Sequence, residues 1–470
     1  MLSRNIRGPV FERTDARWML ADAVSRALAL NDALLEDEAI LRVEVPAGDL
    51  DPLRWLGSQT MRPRFYWSGR EDATDVAAIG VADVVEGETP ADGAKLHERL
   101  ALLSSGVSDA RYYGGLRFDP ACEAEEEWEA FGAYRFVLPR FELRRRDGAT
   151  MLACNLVLPR DSERSGELLD AIESLTLEEP LYVGNSLTAP VSRCDNPNRE
   201  GWRENIASAL EAFAAGSMDK VVLARRAEFE FENDLDAVKM VMGLRAATPG
   251  CFHFLVEPEE GATFVGASPE RLFRREARRI VSEAVAGTRP RGVSEADDEE
   301  LREELLGSVK DQAEHSYVRI SIGETLGPLC EELEIEDRAS EMKLARGRHL
   351  VSKVRGTLRE SVTDTEILAA LHPTPAVGGY PKGVALEEIR NLEPFDRGWY
   401  AGPIGWIGAD ASEFAVGIRS GLARGNTLAL YSGAGIVAGS TPDGEWAEIE
   451  QKIGDFTRVF GLDPEEHAAT

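Results

Sequence analysis

The chain has 470 residues, 43% of them hydrophobic, enough for an extensive buried core, and no low-complexity stretch that would signal disorder. Its formal charge of −30 and pI near 4.7 argue against a nucleic-acid or anionic-membrane surface, because phosphates repel an acidic protein. The five cysteines (Cys122, Cys154, Cys194, Cys251 and Cys330) never adopt a Cys-x-x-Cys spacing, Met1 to Pro9 has no apolar core of signal-peptide length, and no run reaches the ~18 apolar residues of a membrane span. The expectation is a cytoplasmic protein without a disulfide frame, a zinc site or a membrane partner.

In chain order, a helix is expected over residues 16–30. A half-buried strand should follow, with Leu41, Val43 and Val45 facing inward and Arg42 and Glu44 outward. Phe65 to Trp67, Tyr112 to Phe118 and Phe136 to Leu143 are further strands with aromatic weight. Residues 179–198, rich in Pro, Gly, Ser and Asn, are expected to be a linker. An amphipathic helix with Trp202, Ile206, Leu210 and Phe213 on one face stops at Gly216. After it come a strand opening on Lys220, a strand pair over 251–257 and 263–267, and one long helix over 295–326. Strands over 401–407, 413–418 and 427–431 and a closing helix over 443–460 complete the chain. Hairpin-like succession, in place of strand–helix alternation, predicts α+β with mainly antiparallel sheets. Three stretches are distinguished, 1–195, the motif-rich 196–462 and a tail 463–470, and they are expected to form one unit.

The chain has only eight lysines against 45 arginines. Arginine keeps its proton, whereas a desolvated lysine can act as a base, so Lys220 at the mouth of an apolar strand is a candidate for chemistry as well as a snorkelling side chain. In the closing helix Glu445, Glu448 and Lys452 recur at helical spacing; the two carboxylates suit a hard cation such as Mg²⁺, or a solvated acidic first turn. Glu314 shares a stripe with Val318 and Ile322, where a carboxylate needs a metal or a partner, Lys310 being the local choice. Glu270, after Gly266-Ala267-Ser268-Pro269, can be a proton donor or a helix-start acid. His372 lies in a proline-bracketed turn. Gly433 to Ala438 fits a loose dinucleotide pattern, but only one helix follows it, so no βαβ unit fits; the glycines are expected to expose N–H groups as an anion nest.

Together these segments resemble the chorismate-utilising enzymes, most closely the isochorismate synthases. The resemblance rests on Lys220 to Arg225, Gly266 to Leu272, Ala286 to Arg289, Lys310 to His315, His372 to Ala376, Glu393 to Tyr400, Ile418-Arg419, Gly433 to Val437 and Glu445 to Lys452, in family order. It implies the α+β fold of anthranilate synthase component I, a large two-layer sheet core with flanking helices. It further implies Mg²⁺ on Glu314 and Glu448 with Glu445 close by, and chorismate as substrate. The pyruvyl carboxylate would lie on Arg419, Lys452 and the backbone of Gly433, Ala434 and Gly435, and the ring carboxylate side would be lined by Gly287 and Thr288. His372 would support the ring. Isochorismate formation adds water at C2, shifts the ring double bonds and expels the C4 hydroxyl; Lys220 is expected to activate the water and Glu270 to protonate the leaving group. The anthranilate-forming relatives, which use ammonia, carry a different residue at the lysine position. No glutamine amidotransferase subunit is expected. Salicylate synthases share both residues, so formation of salicylate and pyruvate is the alternative; an acidic binding protein and a nucleotide-dependent oxidoreductase are the remoter ones.

Overall fold

The computed structural model describes all residues except 1–14, 32–37, 72–73, 89–92, 105–108, 181, 183–186, 346 and 463–470. The amino-terminal nine residues, part of the expected linker and the tail therefore lie outside the described residues. Two large antiparallel sheets with flanking helices give an α+β fold. The first sheet runs, edge to edge, through Ala39–Pro46, Ala149–Leu158, Phe141–Arg146, Asp75–Ile79, Arg64–Ser68, Phe252–Glu257, Thr263–Ser268, Ser420–Arg424, Thr427–Val437, Lys220–Glu230 and Gly379–Tyr380. Ser192–Asn196 also pairs with Lys220–Glu230, so part of the expected linker is an edge strand. The second sheet runs through Cys330–Ile335, Gly347–Leu358, Arg279–Pro290, Arg271–Glu276, Ala411–Val416, Pro403–Gly408, Arg111–Leu116, Tyr134–Leu138 and Asp83–Gly87, with Ser340–Lys343 against Gly347–Leu358. The sheets face one another through contacts such as Phe65 with Tyr113, ring centroids 5.1 Å apart, and the Tyr113 hydroxyl donating to Glu142 at 3.0 Å.

Four local expectations are corrected. In Ala39–Pro46 the buried positions are Ile40, Arg42 and Val45: Arg42 turns inward because the fully buried Glu142 carboxylate accepts from it at 2.9 Å, and an ion pair overrides hydrophobic alternation. Residues 136–143 are not one strand but the end of Tyr134–Leu138 and the start of Phe141–Arg146, which belong to different sheets. The long helix is two, Glu295–Gly307 and Val309–Leu326, because Ser308 leaves helical geometry and its hydroxyl caps the second by accepting from Asp311 N at 3.2 Å. The strands Ser420–Arg424, Arg279–Pro290 and Gly347–Leu358 escaped the sequence reading, and the last two form the centre of the second sheet's helix-covered end.

Candidate active site

Strand Lys220–Glu230 lies against Thr427–Val437 in antiparallel register, pairing Val222 with Gly435 and Ala224 with Gly433. Alternation along Thr427–Val437 sends Gly433 and Gly435 to one face and the buried Ala434 to the other. Helices Val309–Leu326 and Pro442–Thr457 bring their carboxylates to the glycine face. Between these elements and strand Arg279–Pro290 is a polar cavity of about 200 Å³. Of the residues expected at the site, Glu270, Gly287, Thr288, Glu314, Arg419, Gly433, Gly435, Glu448 and Lys452 line it.

Lys220 has no exposed surface, and its Nζ donates to Glu314 Oε1 at 2.8 Å. Gly435 makes that pair possible: a Cβ there would sit 2.3 Å from Glu314 Oε1 and 3.2 Å from Lys220 Cε. The glycines are therefore clearance for side chains within an extended strand that lacks the alternating helical-type backbone of a nest, while their peptide edges face away from the ladder: the opposite Val222 and Ala224 donate to Gly378 O and to Glu393, and Lys452 reaches Gly433 O. Neither is there a dinucleotide turn, since Gly433 to Val437 continue the antiparallel ladder with Lys220–Glu230. Ala434 lines the opposite, buried face, so its side chain contributes nothing to the cavity.

Glu270 follows strand Thr263–Ser268, its N–H donating to Ser268 Oγ at 3.2 Å and its carbonyl accepting from Val416 N at 3.0 Å. Burial, reinforced by the nearby Glu283 charge and only partly opposed by Lys220 and Lys452, pushes its carboxyl up to about 8. At neutral pH Glu270 is a protonated acid at the cavity wall. Glu448 differs: burial raises it, but Lys452 (2.7 Å away), Lys310 and Arg419 outweigh burial and keep it below the ordinary carboxylate range. Lys452 Nζ also donates to Gly433 O at 2.8 Å. Arg419 holds Asp455 at 3.1 Å from a left-handed backbone, φ 52°. Gly287 is the extra residue of a bulge between Ala286 and Thr288, at φ +67°, and a Cβ there would sit 3.0 Å from Asp311 Oδ1. The bulge turns Thr288 toward the cavity.

The local alternative, Lys310 with Glu314, is not the pair formed: Lys310 Nζ donates to Glu445 Oε1 at 2.9 Å, while Glu314 takes Lys220. Glu445 is buried below the lining, and among the described residues its Oε2 has no hydrogen-bond partner. His372 lies off the cavity, where its Nε2 meets Phe118 O at 2.9 Å and its ring packs edge-on against Phe118; burial lowers its pKa to about 4. It braces the turn whose Ala376 and Val377 form cavity wall. The histidine on the cavity is His349, which sequence reasoning missed. Its Nδ1 lies 3.0 Å from Gly287 O and 3.1 Å from Thr288 Oγ1, and burial lowers it to about 4, so the ring is neutral. Only its place opposite the Gly287 bulge distinguishes it, and no local signal marks strand Gly347–Leu358. Asp311, Arg289, Tyr400 and Ser432 are also part of the wall.

Among the described residues no cluster of three His, Cys, Asp or Glu side chains is gathered as a finished metal site. The donor set nevertheless suits a hard divalent cation: Glu314 and Glu448 open on one cavity, and the orphaned Oε2 of Glu445 adjoins it from the same helix.

The family described as chorismate binding enzyme matches residues 25–461. Isochorismate synthase 2, chloroplastic, of Arabidopsis thaliana is 36% identical over 89% of this chain and 80% of its own length. Isochorismate synthase MenF of Escherichia coli is 31% identical over 90% of this chain and 94% of its own. The solved structure of MenF, the menaquinone-specific isochorismate synthase from Escherichia coli, superposes with a TM-score of 0.81 at 30% identity, covering 95% of this chain and all of that one. Anthranilate synthase component I from Streptococcus pneumoniae, at 19% identity and a TM-score of 0.67, shares the fold. The chain belongs to the chorismate-binding enzyme family. Relatives there include isochorismate synthases of plants and of bacteria.

Proposed function

We propose that the protein converts chorismate to isochorismate, with Lys220 and Glu270 as its base and acid. The observation that supports this reading most is a buried, protonated glutamic acid on the cavity wall with a buried lysine close enough to act on its charge, the lysine held by Glu314 of the same wall, in a family with relatives named isochorismate synthases. Water attacking C2 has to lose a proton; the C4 hydroxyl has to gain one to leave as water. Glu270 carries the proton to be given. Lys220 Nζ can accept that proton only as the neutral amine, so the ammonium now paired with Glu314 has first to release a proton to solvent and free its lone pair for the water. The ring double bonds shift between the two events, and the water taken up equals the water released. Arg419 and Lys452 would hold the pyruvyl carboxylate, with Gly433 and Gly435 leaving it room. The bulge at Gly287 and Thr288, braced by His349, would position the ring carboxylate side.

Glu314 and Glu448, with Glu445, would hold Mg²⁺, which when bound supplies positive charge that neutralises the ring carboxylate. A fixed set of lysines and arginines with such an ion admits a dianion into a protein of net charge −30. No amidotransferase subunit is needed, because water is the nucleophile. A cytoplasmic location suits the five free cysteines, although plant relatives are named chloroplastic. Among the described residues no helix is long and apolar enough to cross a membrane.

Incubation of the purified protein with chorismate and Mg²⁺ should yield isochorismate without pyruvate. Salicylate with equimolar pyruvate would instead establish the salicylate synthase reading, and no consumption would refute both. Lys220→Ala and Glu270→Gln variants that bind chorismate yet turn over at the wild-type rate would remove the two residues from these roles.

A further inference from the structure

Each of the three carboxylates assigned above to the cation is held by a different lysine: Glu314 by Lys220 at 2.8 Å, Glu448 by Lys452 at 2.7 Å and Glu445 by Lys310 at 2.9 Å. The chain has eight lysines in all, so three of them converge here. Two have a part in the reaction proposed above, but Lys310 faces no reacting atom. Its side chain is 44% exposed at the cavity rim, while its partner Glu445 is 3% exposed with Oε2 unpaired. The ammonium is thus the mobile member of the pair and the carboxylate the fixed one. A carboxylate buried to this degree is costly unless a cation stands on it. Among the described residues Lys310 is the cation ion-paired with it, and its stem, on a helix one turn before Glu314, can swing to solvent without disturbing the helix.

We infer that Lys310 is a resident counter-ion of Glu445 that competes with the divalent cation, leaving the carboxylate when the metal arrives and returning when it departs. The inference rests on the reading that Glu314, Glu445 and Glu448 are the metal's ligands. Lys310 therefore weakens cation binding and keeps the ion exchangeable, so that the metal is held firmly only when substrate adds its own carboxylate. An arrangement in which Lys310 serves to attract chorismate, or only to tie two helices together, makes the opposite demand: its removal would leave cation affinity unchanged or lower it.

The test is calorimetric titration of the full chain with Mg²⁺ alone, and with Mn²⁺ alone, in the absence of chorismate, for wild type, Lys310→Met and Arg289→Met. Arg289 is a second cation on the cavity wall, but its partner is Asp311, at 2.9 Å, and not one of the three glutamates. Loss of a charge-assisted competitor should tighten the cation by roughly tenfold in Lys310→Met, while Arg289→Met stays within about twofold of wild type because exposed charges at longer range are screened. Equal tightening in both variants would mean a general field and overturn the inference. Unchanged or weaker binding in Lys310→Met would overturn it while leaving the metal site in place. No cation uptake by any of the three proteins would remove the metal reading and the inference together. Should Lys310→Met fail to fold, a crystal structure of the wild type soaked in Mn²⁺ decides: Lys310 Nζ withdrawn from Glu445 supports the exchange, and the pair intact beside a bound ion refutes it.

Discussion

Glu270 shows what a single residue's surroundings can do to its chemistry. Burial and the neighbouring Glu283 charge hold its carboxyl near 8, which makes it a proton donor through the neutral range. The value of kcat/KM should therefore fall above pH 8, by roughly tenfold per unit, on a limb that Glu270→Gln lacks; the residual rate of that variant should be about 10²–10⁴ lower. The same shift has a stability signature. A folded-state pKa raised from 4.5 contributes stability that is full below pH 4.5 and is lost as pH rises through about 8. Denaturant unfolding of wild type should lose stability across that window relative to Glu270→Gln, and parallel curves would show that the carboxyl titrates normally. At this scale the sequence is informative about which residues gather at the cavity and poor about who holds whom. Lys220, Glu270, Glu314 and Glu448 were legible. Helical spacing offers Lys310 only Glu314 as a local alternative, whereas its partner Glu445 lies on another helix. His349 left no signal, since a histidine in a strand is marked only by the bulge it faces.

At the scale of elements, periodicity carried the closing helix, and tertiary geometry overruled it elsewhere. Ser308 splits the expected long helix, and Gly433 to Gly435 are strand, not nest, because the partner ladder on Lys220–Glu230 lies 200 residues away in sequence and no local pattern encodes it. The alternation of the Thr427–Val437 strand gives its glycines a defined use. In Gly435→Ala the new Cβ would meet the end of the Glu314 side chain at 2.3 Å, and a flexible carboxylate yields cheaply, so the fold should hold with Tm within about 3 °C of wild type. The cost should fall on function. Glu314 would be displaced and Lys220 with it, and kcat/KM should drop on the order of 10²-fold. A variant with wild-type kinetics would show that the glycine is not clearance for the pair, and a collapse in Tm would place the strain in the backbone instead.

At the scale of the whole molecule, the stretches on either side of residue 195 share both sheets. A boundary near residue 195 follows motif density, but the strand Ser192–Asn196 runs through it, and both sheets contain strands from either side. Arg64–Ser68 pairs with Phe252–Glu257 in the first sheet, and Arg111–Leu116 pairs with Pro403–Gly408 in the second. Side chains cross as well: Arg70 donates to Pro269 O at 2.8 Å, beside Glu270, Arg226 reaches Glu125 and Glu127 at 2.8 and 2.9 Å, and Trp399 Nε1 donates to Gly132 O at 3.1 Å. Removing residues 1–195 would strip a neighbour from Phe252–Glu257 and Pro403–Gly408, every residue of which is buried, and leave two apolar edges open to pairing with other chains. The fragment 196–462 should therefore be insoluble or unfolded even though it holds every candidate site residue. The intact chain should unfold in one transition, with indole fluorescence and far-ultraviolet circular dichroism coinciding across the denaturant range. A soluble 196–462 fragment that binds chorismate, or two separated transitions in the full chain, would show that the catalytic region stands alone and that the amino-terminal strands are an addition to it.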